Sequence, residues 1–433
     1  MDSNMEPEGF QDSPIPKLAT ESEFSYMVKS KISPFTIHYS LIYEEFLLDD
    51  KALIYLDNAA TSYPKPAGCM LRALARYIEL GVSPSRGGYD LAREAETAVS
   101  DVRHALRCFF GADENYPVCF GSNATDALNT LIQGLTEPGD HVVSTCLEHN
   151  SVLRPLHHLR AQGRIEFDLA EFDASGFVNP DDIAAMIRPH TSMVVINHAS
   201  NVLGTVQPVS AIGEICRNKG IPLILDVSQS AGAIPIEMKK WNVSGLAFTG
   251  HKSLLSPSGI GGLIIHPDLP IRSIRFGGTG IDSANLFHTQ TFPYRLEAGT
   301  LNLLGILALG ESLLYLQERE TQGYRPREMW LTERLRDGFS EIYGIDQYAV
   351  QSLENHLPLL TCNVRGYAAA SVGAILDGDF NIAVRAGLHC APLVHERLGT
   401  APNGAIRFSV GFLNSIDSID TAISAMSIIA RNA

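Results

Sequence analysis

From Ile54 onward the chain alternates short apolar runs, bounded by turn residues, with longer stretches of helical period. The runs are Pro117–Phe120, His141–Cys146, Ser192–His198, Ile221–Ser228, Gly245–Gly250 and Gly261–His266. Runs of this length read as buried strands, and their alternation with helices predicts an α/β sheet with mostly parallel strands. Helices are predicted over Thr125–Leu135 and over Val209–Lys219, the latter stopped by Gly220. Ligands of such sheets collect at the carboxyl ends of the strands. After about Tyr315 the pattern changes to a long polar helix over Pro326–Ile342, strands near His356–Asn363 and Ala405–Val410, and a last helix from about Ser415.

This pattern predicts four segments. Residues 1–50 form an N-terminal extension, expected to be partly mobile, whose apolar piece Phe35–Leu48 is expected to dock as a short helix or strand. Residues 51–75 join the small domain, 76–315 form the large domain, and 316–433 form the smaller α+β domain.

Composition narrows the partners. With 33 basic against 48 acidic residues, the net charge of -15 argues against nucleic acid. No run of about 18 apolar residues predicts a membrane span, and the acidic start has neither signal-peptide nor transit-peptide character. The seven cysteines lack C-x-x-C spacing, which suits neither a disulfide framework nor a zinc site, so no metal is expected. The expected location is a reducing cytoplasm.

Candidate chemistry begins at Lys252, which follows an apolar strand in the turn-rich segment Phe248–Gly262. A partly desolvated lysine is pushed towards its neutral amine, the form that condenses with an aldehyde to a Schiff base. Asp226 ends another apolar strand, with Gln229 three residues on, and an aspartate there keeps a pyridine nitrogen protonated. Taken singly, Asp226 reads equally as a helix cap, Thr125 as a cap, and His149 or His251 as structural histidines.

Several motifs together carry a resemblance: Tyr55–Ser62 (YLDNAATS), Ser85–Ala92 (SRGGYDLA), Gly121–Asn129, Glu148–Pro155, His198–Pro208, Asp226–Gly232, Thr249–Lys252 (TGHK), Glu297–Asn302 and Arg385–Pro392 (RAGLHCAP). From about Ile54 to the C-terminus the chain resembles the fold-type I pyridoxal-phosphate enzymes of the class V aminotransferase group, in particular the cysteine desulfurases and selenocysteine lyases. The resemblance implies a large domain built on a mostly parallel seven-stranded sheet, with a smaller C-terminal α+β domain carrying the cysteine loop. It implies that Lys252 bonds the aldehyde of pyridoxal 5'-phosphate, His149 stacks on the ring, Asp226 pairs with the ring nitrogen and Gln229 meets the ring hydroxyl. The phosphate is expected at the helix start formed by Ala124 and Thr125, with Thr249 and His251 adding donors. Thr300 is expected to reach the phosphate of a neighbouring subunit, which implies a homodimer.

The same resemblance places Arg385, Arg407 and Asn201 near the substrate carboxylate, where a guanidinium offers a two-point contact. It makes Cys390 the thiol that takes sulfur, or selenium, from L-cysteine or selenocysteine as a persulfide and hands it to a thiol or acceptor protein. The related loop motif reads Arg-x-Gly-His-His-Cys-Ala; here Leu388 replaces the first histidine, and His389 and Cys390 are kept. Other readings stay open at this point: a C–S lyase, transaminase or epimerase on the same scaffold, or a non-catalytic sulfur-relay scaffold. A nicotinamide-dependent oxidoreductase is disfavoured, since no G-x-G-x-x-G opens a helix after an early strand.

Overall fold

In the computed structural model the described residues are 53–84, 87–320 and 324–432. The predicted extension 1–50, with its Phe35–Leu48 piece, and Ser85 and Arg86 of the SRGGYDLA motif lie outside them. In chain order the elements are β1 (Ile54–Tyr55), α1 (Ala67–Leu80), α2 (Asp90–Phe109), β2 (Val118–Gly121), α3 (Ala124–Leu135), β3 (Asp140–Thr145), α4 (Asn150–Ala161), β4 (Ile165–Ala170), α5 (Pro180–Met186), β5 (Thr191–Asn197), α6 (Val209–Lys219), β6 (Leu223–Asp226), β7 (Gly245–Thr249) and β8 (Gly261–Ile265). Then follow α7 (Leu303–Glu320), α8 (Tyr324–Ser340), β9 (Ile345–Gln347), β10 (Leu359–Val364), α9 (Ala369–Phe380), β11 (Ile382–Ala383), β12 (Arg385–Gly387), α10 (Pro392–Arg397), β13 (Ala405–Ser409) and α11 (Ile416–Arg431). Leu53–Ala433 pack as one compact unit.

Seven strands form one sheet in the order β2-β8-β7-β6-β5-β3-β4. The pairs from β7 through to β4 are parallel, and β8 runs antiparallel to both its neighbours. Side chains alternate between the faces, as strand geometry demands. On β5, Val194 and Ile196 join one core with α2, α6 and α7, while Met193 and Val195 join the opposite core with α3 and α4. Both faces are covered by helices, which is why these strands read as near-continuous apolar runs. The edge strand β4 was not among the predicted runs. Its Glu166 is exposed and its Asp168 half-buried, both within reach of Arg188, so the segment lacks an unbroken apolar stretch.

A second sheet, antiparallel in the order β12-β13-β10-β9, packs against α8, α9 and α11 through Leu335, Phe339, Val372, Phe408, Ala422 and Met426. The N-terminal strand β1 pairs in parallel with β11. Helix ends follow local chemistry: Gly220 closes α6 in the left-handed conformation, and Ser415 opens α11 with a capping box. Among the described residues no helix is long and apolar enough to cross a membrane.

Candidate active site

The large sheet ends its strands with polar residues on one edge: Thr145 on β3, Asn197 on β5, Asp226 on β6 and Thr249 on β7. Lys252 lies three residues beyond Thr249, in a turn closed by the Leu255 amide donating to the Lys252 carbonyl at 2.8 Å. This turn presses on Gly232, where a Cβ would stand 2.3 Å from the Ser253 carbonyl oxygen, so only glycine allows the approach. Burial pushes the Lys252 ammonium down to about 8; Asp226 opposes the shift, and Arg407 and Arg385 add to it.

Asp226 is buried, and its Oδ1 accepts from the Ser228 amide at 2.9 Å and from the Ser228 hydroxyl. Gln229 is buried too, and its Nε2 donates to the Ala59 carbonyl at 3.0 Å. His149 is the N-cap of α4: its Nδ1 accepts from the Ser151 amide at 3.0 Å and shares 2.8 Å with the Ser151 hydroxyl. Burial, then the Lys252 charge, lowers His149 to about 4, so the ring is neutral at ordinary pH. His251 is lowered to about 4 by burial, with Lys252 and Lys65 adding to it.

Helix α3 is capped by Asn123, whose side chain serves the Asp126 amide at 3.0 Å. Ala124 and Thr125 therefore supply the orphan amides that any helix start leaves. The Thr125 hydroxyl lies 2.7 Å from that of Ser151, linking the starts of α3 and α4. Thr249 is buried, and its Oγ1 has no hydrogen-bond partner. Thr300 is exposed and is not joined to these residues by any described hydrogen bond.

The small sheet brings the second half of the site. Arg385 on β12 and Arg407 on β13 stand directly opposite in the antiparallel register, hence on one face. Arg407 is 1% exposed, donating from Nη1 to the Asn201 carbonyl at 2.9 Å and from Nη2 to Asp57 at 2.8 Å, while its Nε is unpaired. Arg385 is half-buried, with Nη2 at 3.7 Å from the Cys390 sulfur.

Cys390 itself is half-buried, on a loop in which His389 (φ +49°) and Cys390 (φ +58°) both adopt the left-handed conformation. Such non-glycine conformations cost on the order of 1–3 kcal/mol each and persist only when neighbours enforce them. Enforcement is visible: Asn201 Nδ2 donates to the His389 carbonyl at 2.6 Å, and the Asn150 amide at the start of α4 donates to the Cys390 carbonyl at 2.7 Å. The cysteine loop is thus tied to the helix that His149 caps.

Four participants received no role in the sequence reading, which weighed His395 only as a metal ligand and set it aside. Asp57 holds Arg407. Lys65, lowered to about 8 by burial, donates to the Ser62 hydroxyl at 2.7 Å beside the Thr249–Lys252 turn. Glu148, fully buried with a carboxyl raised to about 8 by burial, accepts from Thr145 and the Asn197 amide. His395 contacts His389. Asp57 and Glu148 lie inside motifs already quoted, but no spacing rule links Asp57 to a partner 350 positions away.

The arrangement suits a phosphorylated, electron-poor aromatic aldehyde. Lys252 is an amine near neutrality, Asp226 a buried acceptor for a ring N–H, His149 a neutral flat ring, and the orphaned Thr249 hydroxyl beside the α3 amides a set of anion donors.

The family model for class-V aminotransferases matches residues 54–421. The chain is 32% identical to a probable cysteine desulfurase of Methanothermobacter thermautotrophicus, over 84% of this chain and 92% of that protein. It is 31% identical to another from Halobacterium salinarum, over 89% and 93%. The apo structure of a cysteine desulfurase from Thermococcus onnurineus superposes with a TM-score of 0.82 at 31% identity, covering 88% of this chain and 95% of that one. A cysteine desulfurase of Escherichia coli, 22% identical, shares the fold with a TM-score of 0.77, over 89% and 96%. The chain therefore belongs to the pyridoxal-phosphate-dependent class-V aminotransferase family, within its cysteine desulfurase group.

Proposed function

We propose that this chain is a cysteine desulfurase that moves the sulfur of L-cysteine onto Cys390 as a persulfide and releases L-alanine. The observation that carries this reading is the placement of the Cys390 thiol 3.7 Å from Arg385 Nη2, on a strained loop anchored to the lysine-bearing half of the site. Lys252 would hold the cofactor aldehyde, Asp226 the ring nitrogen, His149 a ring face, Gln229 the ring hydroxyl, and Ala124, Thr125, Thr249 and His251 the phosphate. Pyridoxal phosphate, when bound, supplies an aldehyde that condenses with amino groups and a ring that accepts electrons from the substrate α-carbon.

The protein's own residues do the rest. Arg385, half-buried and on the thiol's side, takes the substrate carboxylate, while Arg407, braced by Asp57, adds its unpaired Nε and Asn201 flanks it. Lys252, whose amine burial holds near neutrality, would take the substrate's α-proton and return it to carbon. The Cys390 thiolate then attacks the substrate sulfur: a sulfur–sulfur bond forms, the carbon–sulfur bond breaks, and its electron pair stays with the substrate carbon, which is protonated to give alanine. The loop aligns thiol and sulfur near contact, the condition under which such transfers gain most from positioning.

Two further points belong to the same reading. A homodimer is supported by Thr300, exposed within one chain, and by the exposed Phe276, Leu286 and Phe287 nearby in sequence, apolar surface of the kind interfaces cover. The persulfide passes to a thiol or acceptor protein that reaches the half-buried Cys390, in a compartment reducing enough to keep all seven cysteines as free thiols. Product analysis tests the activity: alanine and sulfane sulfur in equal amounts from L-cysteine support it, and pyruvate with ammonia refutes it.

A further inference from the structure

Behind the cysteine loop two buried histidines carry a chain of hydrogen bonds that the proposed reaction does not use. His389 Nε2 lies 3.2 Å from the Arg385 carbonyl oxygen, His389 Nδ1 lies 3.2 Å from His395 Nε2, and His395 Nδ1 lies 2.8 Å from the Thr400 hydroxyl. His389 is 3% and His395 0% exposed.

With both rings neutral, valence fixes every proton in this chain. A carbonyl oxygen only accepts, so His389 must carry its proton on Nε2. Its Nδ1 is then an acceptor, which requires the proton of His395 on Nε2. The Nδ1 of His395 in turn accepts from Thr400. With both rings neutral, all three bonds run in this one direction, and the Thr400 hydroxyl also stands 3.3 Å from the His395 carbonyl oxygen. Burial holds both in that form, lowering His389 to about 2 and His395 to about 4, with Arg407, Arg385 and His395 adding their charge effects at His389.

The position of this chain gives it a task. His389 and Cys390 are consecutive left-handed residues, and the ties on their carbonyls come from Asn201 and Asn150. The His389 side chain supplies the tie on the opposite flank, towards α10 and Thr400. We propose that His395 and Thr400 are positioning residues for the Cys390 thiol, acting through His389. The inference rests on the reading of Cys390 as the sulfur-accepting thiol. It needs no histidine at Leu388, where the related motif has its first histidine, because the chain of bonds starts at the second, His389.

The test uses the cofactor-loaded full chain with Thr400→Val, Thr400→Ser and His395→Leu, and a cofactor-free preparation of each. Alanine formation from L-cysteine is expected to lose about tenfold in kcat in Thr400→Val and about a hundredfold in His395→Leu, the size of effect that a misplaced reacting group produces. KM and the cofactor absorbance stay within about twofold, as the carboxylate and ring contacts are untouched. Thr400→Ser keeps the hydroxyl and restores the rate. In the cofactor-free protein, hydrogen exchange across residues 386–392 rises at least about tenfold in both damaging variants, while the β5 and β6 segments keep their protection. Should His395→Leu fail to fold, Thr400→Val, which deletes the hydroxyl's two contacts with His395 and preserves shape, decides alone. Wild-type kcat in Thr400→Val, or faster exchange spread evenly over the large sheet, overturns the proposal. A wild-type enzyme that makes pyruvate would refute the desulfurase reading instead, and the exchange measurement would still judge the relay.

Discussion

Asp57 and Arg407 meet at 2.8 Å between a residue that follows the first strand and one on the thirteenth, with the guanidinium 1% exposed. Burial pulls the Arg407 guanidinium below its usual range, and Asp57 acts against that. Removing one partner of a buried pair strands the other charge, so Asp57→Ala is expected to cost about 3 kcal/mol of unfolding free energy. Arg407→Lys is also damaging, because an ammonium cannot span Asp57 and the Asn201 carbonyl in the same fork. Urea titration checks both, and an Asp57→Ala midpoint equal to wild type would contradict the pairing.

The capture of cofactor by the cofactor-free protein should depend on pH through Lys252. The amine is lowered to about 8, so capture accelerates as pH rises through 8 and levels off well short of an ordinary lysine's range near 10.5. The stability of the cofactor-free protein follows the same group. Below about 8 the ammonium is charged in both folded and unfolded chains and its burial is unfavourable. Between about 8 and 10.5 the unfolded chain binds more protons, so this group makes stability rise with pH there. Stopped-flow absorbance and chemical denaturation across pH 7 to 10 check both, and a capture midpoint near 10.5 would exclude the desolvated lysine.

His149 has two separable tasks, capping α4 and flanking the cofactor ring. Asparagine also caps helices well, so His149→Asn should melt near wild type yet bind cofactor at least about tenfold more weakly. His149→Ala should lose in addition about 1 kcal/mol of stability. Equal cofactor affinity in His149→Asn and wild type would remove the flanking role.

Thr249 gives the opposite sign. Its buried, unpartnered hydroxyl is a cost to the empty protein of about 1–3 kcal/mol. Thr249→Val should therefore raise the melting temperature of the cofactor-free chain while speeding cofactor loss from the loaded one. A variant that lowers both would show that the hydroxyl has another partner.

How far the sequence discloses this site follows from what each signal measures. The strands β5 to β8 are apolar on both faces, so their runs are visible without an alignment, and Asp226 and Lys252 stand out as polar residues where those runs stop. The edge strand β4 is half solvated and loses the signal. Arg385 and His149 are legible only through motif resemblance, and Cys390 adds to it only a loop-like setting among Gly387, His389 and Pro392. Arg407 was placed near the substrate by the same resemblance, but its burial and its hold on Asp57 arise from register between β10, β12 and β13. The chain from His389 to Thr400 depends on a helix turn bringing His395 behind the loop, a relationship that tertiary packing alone creates.

Mass spectrometry of the Cys390-bearing peptide after one turnover, with alanine counted in parallel, tests the central claim most directly. One added sulfur on Cys390 for each alanine formed, with both lost in Cys390→Ala while the cofactor absorbance remains, is the result expected here. Unmodified Cys390 alongside full turnover, or undiminished alanine formation by Cys390→Ala, would contradict it.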